Sequence, residues 1–331
     1  MRSSTILVLL TAAGCNGSGG NTNDSPGDPD AAVADLDGSI IEIPSCPDNT
    51  WCVEPSGTTS RLRSVWVIDA NNVFAVGDNG TILRRSSNQW SAMASGTTEN
   101  LRGVWGPSVD DLWAVGQGGT ILRYDGSAWS AVTGVKSVSD DTDVEAVWGS
   151  GANDVWLAGP TMVWNWNGST WATKGFGGIL FSISGTGPDD VWVTGENSYL
   201  NHYTGGPVGD SDSWTYVNPG VGTAFMTVFA FAPNNVRAAT FVEVQYTGSM
   251  WKQNATDGAV FQSIWGSSAT RMWGVGGTKV GSWDGAAWTI EVPNGNTSAL
   301  WSVRGIGNVV WAVGSDGLIL HRFSTDPAVQ L

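Results

Sequence analysis

The chain has 331 residues and carries a formal net charge of −15 at pH 7. Nucleic acid and anionic lipid surfaces would both be repelled by this excess of negative charge, which argues against either as a partner.

The first fifteen residues read as an export signal. They contain one Arg, an apolar core over residues 6–10, and small residues before Cys15, and the run is too short to span a bilayer stably. Residues 11–15, TAAGC, resemble a bacterial lipobox, in which the Cys thiol receives diacylglycerol, although Ala12 stands where that family has Leu. An ordinary cleaved signal with a chance Cys is the alternative.

Residues 16–44 are rich in Gly, Ser, Asn, Asp and Pro, with almost no large apolar residue before Ile40. This composition predicts a disordered tether with a mean reach of roughly 30 Å. The residue after Cys15 is Asn16 and not Asp, which by resemblance to other lipoproteins favours the outer membrane or cell surface over inner-membrane retention.

Cys46 and Cys52 stand six residues apart. In an oxidising compartment two nearby thiols usually pair, so a disulfide is expected there. A metal site is the other interpretation, but two Cys without a nearby His lack the four ligands that structural zinc needs.

The rest of the chain is a repeat, best seen in residues 101–129. The residue that ends the first strand of each copy is usually Trp, and the seven copies are anchored at Trp66, Trp105, Trp148, Ser184, Phe229, Trp265 and Arg304. Short apolar runs alternate with turns rich in Gly, Asp and Ser, which predicts four strands per copy and almost no helix.

Six copies end in a further Trp, and the missing one is found near the N-terminus. The segment 49–66 matches 88–105 almost position for position, so Trp51 is the orphan last strand of the seventh copy. A strand that closes the ring removes its two exposed edges. We therefore predict an all-β, seven-bladed propeller of four-stranded antiparallel blades over residues 45–324, followed by a tail over 325–331.

The units VWGPSVDDLWAVGQGGTILRYDGSAW and VWGSGANDVWLAGPTMVWNWNGSTW resemble the Trp-rich propeller repeats of secreted bacterial proteins, often grouped with BNR or Asp-box repeats. The match is to the position of the Asp-box hairpin, because residues 125–129 are one residue shorter than its full pattern. Sialidases with such repeats also need three Arg, a Tyr paired with Glu, and an Asp, and that set cannot be placed here.

No catalytic constellation is apparent. The two His, His202 and His321, align with Arg123 at outer-strand positions, so we expect them to be exposed and structural, and neither has an activated nucleophile beside it. The Gly-x-Gly clusters follow hairpins and do not open helices. We expect no enzyme activity, no cofactor and no metal. The acidic runs at 139–143 and 210–212 are interpreted as solvated insertions, with weak calcium binding as the alternative.

One position varies among copies while its neighbours do not. The second residue of the first strand is Arg63, Arg102, Glu145, Phe181, Met226, Gln262 or Trp301. Inner strands line the channel of a propeller, so these side chains are predicted at the channel mouth, with the charge of Arg304 nearby. The alternative is that these side chains differ only because they fill space at a crowded axis. The ligand-site hypothesis rests on Arg63, Arg102, Glu145, Gln262, Trp301 and Arg304.

From these observations we expect a monomeric, lipid-anchored, extracytoplasmic module that binds or scaffolds a protein or glycan. The Trp residues are interpreted as core, because they recur at fixed positions. One rival is a lectin with blade-edge sites at exposed Trp164, Trp166 and Trp283. Another is a sialidase-like glycosidase or lyase dependent on Arg63 or Arg102.

Overall fold

The computed structural model describes residues 46–47, 49–135, 142–196 and 199–323. The predicted signal (1–15, with Cys15), the predicted tether (16–44) and the predicted tail (325–331) lie outside these residues. Within them, all 28 strands fall into seven four-stranded antiparallel sheets, and the only helices are four three-residue 3₁₀ turns. The predicted seven-bladed propeller is confirmed.

Blades 1 to 4 each run in chain order from an inner to an outer strand. Their strands are β2 (Leu62–Val67), β3 (Val73–Gly77), β4 (Ile82–Ser86) and β5 (Gln89–Met93); β6 (Leu101–Ser108), β7 (Asp111–Gly116), β8 (Ile121–Tyr124) and β9 (Trp129–Ala131); β10 (Ala146–Gly151), β11 (Asp154–Ala158), β12 (Met162–Trp166) and β13 (Trp171–Gly175); β14 (Leu180–Gly187), β15 (Asp190–Gly195), β16 (Leu200–Tyr203) and β17 (Trp214–Tyr216).

Blades 5 and 6 follow the same order, and blade 7 takes its outer strand from the N-terminal end of the described chain. Their strands are β18 (Thr227–Ala232), β19 (Asn235–Ala239), β20 (Glu243–Tyr246) and β21 (Trp251–Asn254); β22 (Ser263–Ser268), β23 (Arg271–Gly276), β24 (Lys279–Trp283) and β25 (Trp288–Glu291); β26 (Leu300–Ile306), β27 (Val309–Gly314), β28 (Ile319–Phe323) and β1 (Trp51–Glu54). The 3₁₀ turns are Asp78–Gly80, Ser211–Ser213, Pro293–Gly295 and Ser315–Gly317.

The ring closes where the sequence predicted. Strand β1 pairs antiparallel with β28, with Trp51 opposite Arg322 and Glu54 opposite Ile319. Each inner strand contacts the inner strands of the blades on both sides, including β2 with β26. The outer edge of blade 7 is therefore covered, which removes an unpaired strand edge.

Six consecutive positions of the inner strand account for most contacts between blades. Position 1 is the residue before the variable position, and it is fully or almost fully buried in every blade: Leu62, Leu101, Val144, Leu180, Phe225, Phe261 and Leu300. Position 2 is the residue that varies among the copies. Positions 3 to 6 follow it along the strand, and position 5 is the residue that anchors each copy, which is Trp in four of the seven.

An aromatic ring at position 5 lies against a glycine at position 6 of the next blade. A Cβ built on Gly149 would lie 2.6 Å from Cη2 of Trp105, and one on Gly185 would lie 2.7 Å from Cη2 of Trp148. A Cβ on Gly305 would likewise lie 2.7 Å from Cζ3 of Trp265. These distances are too short for any other residue, so the ring requires the glycine.

The same pairing of residue types recurs at five of the seven blade junctions. Aromatic residues occupy position 5 in five blades, and in all five the next blade has Gly at position 6: Trp66 and Gly106, Trp105 and Gly149, Trp148 and Gly185, Phe229 and Gly266, Trp265 and Gly305. At Gly106 the atoms nearest a built Cβ belong to Asp111 and Leu112, and Trp66 instead donates from Nε1 to the Gly106 carbonyl. At Gly266 the ring within 2.7 Å of the built Cβ is that of Phe231 and not Phe229. The two blades without an aromatic, with Ser184 and Arg304, precede Ala230 and Val67.

A belt of hydroxyl groups at position 3 also joins the blades. In five of the seven blades a Ser or Thr Oγ there accepts a hydrogen bond from the position 4 N–H of the next blade, at 3.2–3.3 Å. The acceptors are Ser64, Ser182, Thr227, Ser263 and Ser302. Blades 2 and 3 have Gly103 and Ala146 instead, and between these two blades Arg102 binds Glu145. At these five junctions the hydroxyl thus satisfies a backbone donor of the neighbouring inner strand.

A buried charge cluster fastens β1 to blade 1. Glu54 of β1 accepts from Arg85 Nε at 3.0 Å and from the indole of Trp90, and His321 Nδ1 of β28 lies 3.1 Å from its other oxygen. Arg85 also donates to the Ala70 carbonyl at 3.1 Å. We call Glu54, Arg85, Trp90 and His321 the closure cluster. Burial raises the pKa of Glu54, but the contacts with His321 and Arg85 outweigh it and lower that pKa from 4.5 to about 2.

We predict that Gly149→Ala destabilises the protein by about 1–3 kcal/mol, because the added methyl overlaps the Trp105 ring and the Asp154 carbonyl. The matched control is Gly151→Ala in the same strand, where a Cβ would meet nothing within 4 Å. Urea unfolding of both variants measures the difference. Equal midpoints for the two would contradict the proposed packing of ring on glycine.

We predict that Glu54→Gln lowers the free energy of unfolding at pH 7 by about 3 kcal/mol, because Arg85 then remains buried without its carboxylate. The folded pKa of Glu54 lies below its ordinary value, so its contribution is complete above pH 4.5 and is lost as the pH falls through about 2.

Unfolding measured between these pH values should therefore depend less on pH in Glu54→Gln than in the wild type. The control is Glu99→Gln, at an exposed side chain, which should leave the pH dependence unchanged. An acid profile of Glu54→Gln that matches that of the wild type would refute this role.

Candidate functional site

The inner strands surround a cavity of about 320 Å³ on the ring axis. The side chain at position 2 of every blade lines it: Arg63, Arg102, Glu145, Phe181, Met226, Gln262 and Trp301. Arg304 at position 5 lines it as well, so the structure brings together all six residues of the ligand-site hypothesis. A cavity of this volume is at the small end of the range found for ligand sites.

Local strand geometry explains why position 2 is free to vary. In blades 1, 2, 4 and 7 this residue is the extra residue of a β-bulge, between position 1 and position 3 of the ladder. A bulged residue has no cross-strand partner, and bulges commonly redirect a side chain toward a binding site. In these four blades position 2 thus has no neighbour to fit in its own sheet, and in blades 3, 5 and 6 it directly precedes the inner strand.

Most charges at the mouth are paired. Arg63 donates to Asp78, and Arg102 binds Glu145 at 2.6 Å and Asp143 at 2.7 Å. Glu145 is the one carboxylate among the lining residues, and Arg102 occupies both of its oxygens. Trp301 is held by a hydrogen bond from its Nε1 to Ser315 Oγ at 3.2 Å and by the guanidinium of Arg61, 5.1 Å from its ring.

Arg304 differs from the other cations. Its Nη1 donates to Val303 O at 2.7 Å, to Ser263 Oγ at 3.2 Å and to Ile264 O at 3.3 Å. No carboxylate of the described residues lies within ion-pair distance of it. Desolvation in the wall of the cavity lowers its pKa to about 10, so it remains charged at neutral pH, and by its exposed surface the side chain is half-buried.

The Trp residues proposed as blade-edge sugar platforms are not available for stacking. Trp164 and Trp283 are 0% and 4% exposed, and Trp166 is half-buried against Trp171 at 5.4 Å. All twenty Trp lie in the described part of the chain, and none of them is exposed. The expectation of exposed Trp at the blade edges is therefore wrong, whereas the interpretation of the Trp as core agrees with their burial.

The expectation that both His are exposed is also wrong. His321 is 1% exposed and belongs to the closure cluster. His202 is half-buried, stacked on Trp192 with ring centroids 3.8 Å apart, and its Nε2 lies 2.6 Å from Asp190 Oδ1. The same cross-strand arrangement recurs in blade 2, where Arg123 binds Asp111 and covers Trp113. His202 is thus one version of a structural device that several blades share.

Cys46 and Cys52 are joined by a disulfide beside the closure cluster. No His lies near these Cys in the sequence, so a metal site was not expected there. The ring closure nevertheless places His321 so that a ring nitrogen and both sulfurs lie within 4.8 Å of one another. With the sulfurs bonded to each other, no thiolate is available to bind a metal.

Acidic side chains of the two insertions bind neighbouring groups of the protein where the structure describes them. Asp143 pairs with Arg102, and Asp210 accepts from the backbone N–H of Asp212 at 3.2 Å to start a 3₁₀ turn. Residues 139–141 lie outside the described part. A search of the described residues for a helix of sufficient length and hydropathy to cross a bilayer found no candidate.

No protein-family model matches the chain, and no curated protein matches it. Solved structures do. YCF48 bound to D1 peptide superposes with a TM-score of 0.68 at 16% identity, over 86% of this chain and all of the other. YCF48 from Cyanidioschyzon merolae gives 0.67 at 16% identity, over 84% and 100%. The WD40 propeller domain of Doa1 gives 0.70 at 12%, over 86% and 100%. At these identities the likeness establishes the fold, and the chain is a Trp-rich seven-bladed β-propeller.

Proposed function

We propose that the chain is an exported, lipid-anchored binding module with no catalytic activity, which holds a protein ligand at the mouth of its axial cavity. Cys15 would carry the lipid and residues 16–44 would tether the propeller to the outer membrane or cell surface. A monomer suffices for this role, because the ring closes on itself and the cavity is lined by one chain.

The proposal rests on one observation: most positions of the inner strand are constrained by the structure, whereas position 2 varies from blade to blade. Positions 1, 3, 5 and 6 are restricted by burial, by the hydroxyl belt and by the contact of ring on glycine. Position 2 escapes all of these restrictions, yet all seven of its side chains meet in one cavity. Residues that vary among the blades and converge on one cavity are good candidates for recognition, and Arg102 and Glu145 among them also pair with each other.

A protein ligand fits this site better than a glycan. The lining offers aromatic and aliphatic side chains, Phe181, Met226 and Trp301, beside paired charges, and such a mixture is typical of protein interfaces. One propeller of the same fold, YCF48, is known bound to D1 peptide. No observation favours the glycan alternative, because its candidate Trp residues are not exposed, and the sialidase set of residues is not assembled around the cavity.

We predict that a photo-crosslinking amino acid at Gln262 of the full-length chain yields a discrete adduct with one envelope protein, because this side chain faces the cavity mouth. The control position is Tyr216, 55% exposed on the outer strand of blade 4. The adduct from position 262 should be lost when Phe181→Glu is introduced, and retained with Tyr216→Glu. Gel electrophoresis and mass spectrometry of the adduct provide the measurement.

Adducts of equal yield from both positions, or an adduct that survives Phe181→Glu in a folded variant, would place the ligand elsewhere on the propeller.

We predict that Cys15→Ala moves the protein from the membrane pellet to the soluble fraction of cells and abolishes labelling with a radioactive fatty acid, because the lipid acceptor is gone. Cys46→Ser with Cys52→Ser serves as the control for loss of thiols and should keep the label. Continued labelling of Cys15→Ala would show that the anchor is not at this residue.

A further inference from the structure

The cation that the axial cavity leaves without a counter-charge is Arg304. A charge taken out of bulk water is normally paired, because an isolated ion loses its hydration without compensation. The other two arginines of the lining obey this rule, since Arg63 has Asp78 and Arg102 has Glu145 and Asp143. Arg304 has only two carbonyls and a hydroxyl.

The contacts of Arg304 occupy one side of its guanidinium. All three involve Nη1, which is held against the wall by Val303, Ser263 and Ile264. Nε and Nη2 make no hydrogen bond with any described residue, although Arg304 lines the cavity. These two nitrogens form the edge that matches the two oxygens of a carboxylate.

The blade pattern explains how this residue came to face the cavity. Arg304 stands at position 5, where an aromatic ring would need a glycine at position 6 of the next blade, and that residue is Val67. Val67 is buried within the hydrophobic cluster between blades 7 and 1. The place of an aromatic ring is therefore taken by a long cationic side chain.

One cation of the cavity is open to an acidic ligand. Three arginines and one glutamate line the cavity, and Asp78, Asp143 and Glu145 pair with Arg63 and Arg102. Glu145 is not available to Arg304, because Arg102 holds both of its oxygens and because positions 2 and 5 are about 10 Å apart along a strand. Arg304 is therefore the cation of the lining that has no carboxylate partner among the described residues.

We infer that the Nε–Nη2 edge of Arg304 binds a carboxylate of the ligand that enters the axial cavity. This inference rests on the proposed function, since it assigns the chemistry of the same site. A carboxylate on a carbon skeleton fits better than phosphate, because Phe181, Met226 and Phe229 also line the cavity and would contact the apolar part of such a ligand.

The test uses the full-length chain with sodium acetate, inorganic phosphate and sodium chloride at equal ionic strength. Acetate should shift the Nε–Hε NMR signal of Arg304 saturably, and it should raise the thermal unfolding midpoint relative to chloride. Arg304→Gln should weaken acetate binding about ten- to a hundredfold, as expected for loss of a charge-assisted pair. The acetate affinity of Arg304→Lys should lie between those of the wild type and Arg304→Gln, because Lys keeps the positive charge but lacks the planar pair of N–H donors.

The matched control is Arg123→Gln. Nε and Nη2 of Arg123 already bind Asp111 at 2.9 and 3.0 Å, so this variant should leave acetate affinity unchanged. A peptide with a central Asp between blocked ends should compete with acetate, and the same peptide with Asn should not.

Three results would overturn the inference: no shift of the Arg304 signal, equal acetate affinity in Arg304→Gln, or phosphate binding more tightly than acetate. The shift of the Arg304 Nε–Hε signal in the wild type tests the inference even if Arg304→Gln does not fold. If the adduct from position 262 persists in a folded Arg304→Gln while acetate binding is absent from the wild type, the proposed function stands and only the carboxylate assignment fails.

Discussion

Close packing between the inner strands of neighbouring blades holds this propeller together, and its tightest form is an aromatic ring of one blade on a glycine of the next. A buried ring of this size removes about 150–250 Å² from water, which corresponds to roughly 4–6 kcal/mol of gross hydrophobic free energy. The ring can lie flush against the neighbouring strand only where no Cβ intervenes, as at Gly149, Gly185 and Gly305. The Trp-Gly pair in the sequence of blades 2, 3 and 6 therefore serves two interfaces, because the ring faces one neighbouring blade and the glycine faces the other.

Most of the fold could be predicted from the sequence because the repeat is local and dense. The spacing of Trp and Gly marks the strands and turns within each copy, and the orphan segment around Trp51 identifies the closing strand. The placement of position 2 at the axis was also predictable, since it follows from which strand is innermost. These features depend on periodicity, and periodicity is visible in one chain without any relative for comparison.

The remaining features depend on contacts between residues that are distant in sequence. The burial of His321 follows from the pairing of β1 with β28 and from the approach of Arg85 in the next blade, and no spacing rule contains that information. Trp164 and Trp283 lie on β12 and β24, the third strands of their blades, and both are buried because adjacent sheets pack face to face there. The lone charge of Arg304 emerges only when every carboxylate around it has been located. The substitution of Arg for Trp was the one signal in the sequence, and its meaning required the identity of Val67 in the next blade.

Closure by β1 also sets the order in which the molecule can be completed. Strand β1, which finishes blade 7, is the first of the described strands to be synthesised, and its partner β28 is the last of them. Blades 1 to 6 can each form from contiguous segments, but β1 has to wait, unpaired, until the other described strands have emerged. The entropic penalty of joining such distant segments grows only logarithmically with their separation, so the final structure loses little by it. The kinetic consequence is larger, because a late, non-local pairing slows folding and leaves two unpaired, aggregation-prone strand edges during biogenesis. A nascent chain of this kind benefits from a holdase chaperone until β1 and β28 pair.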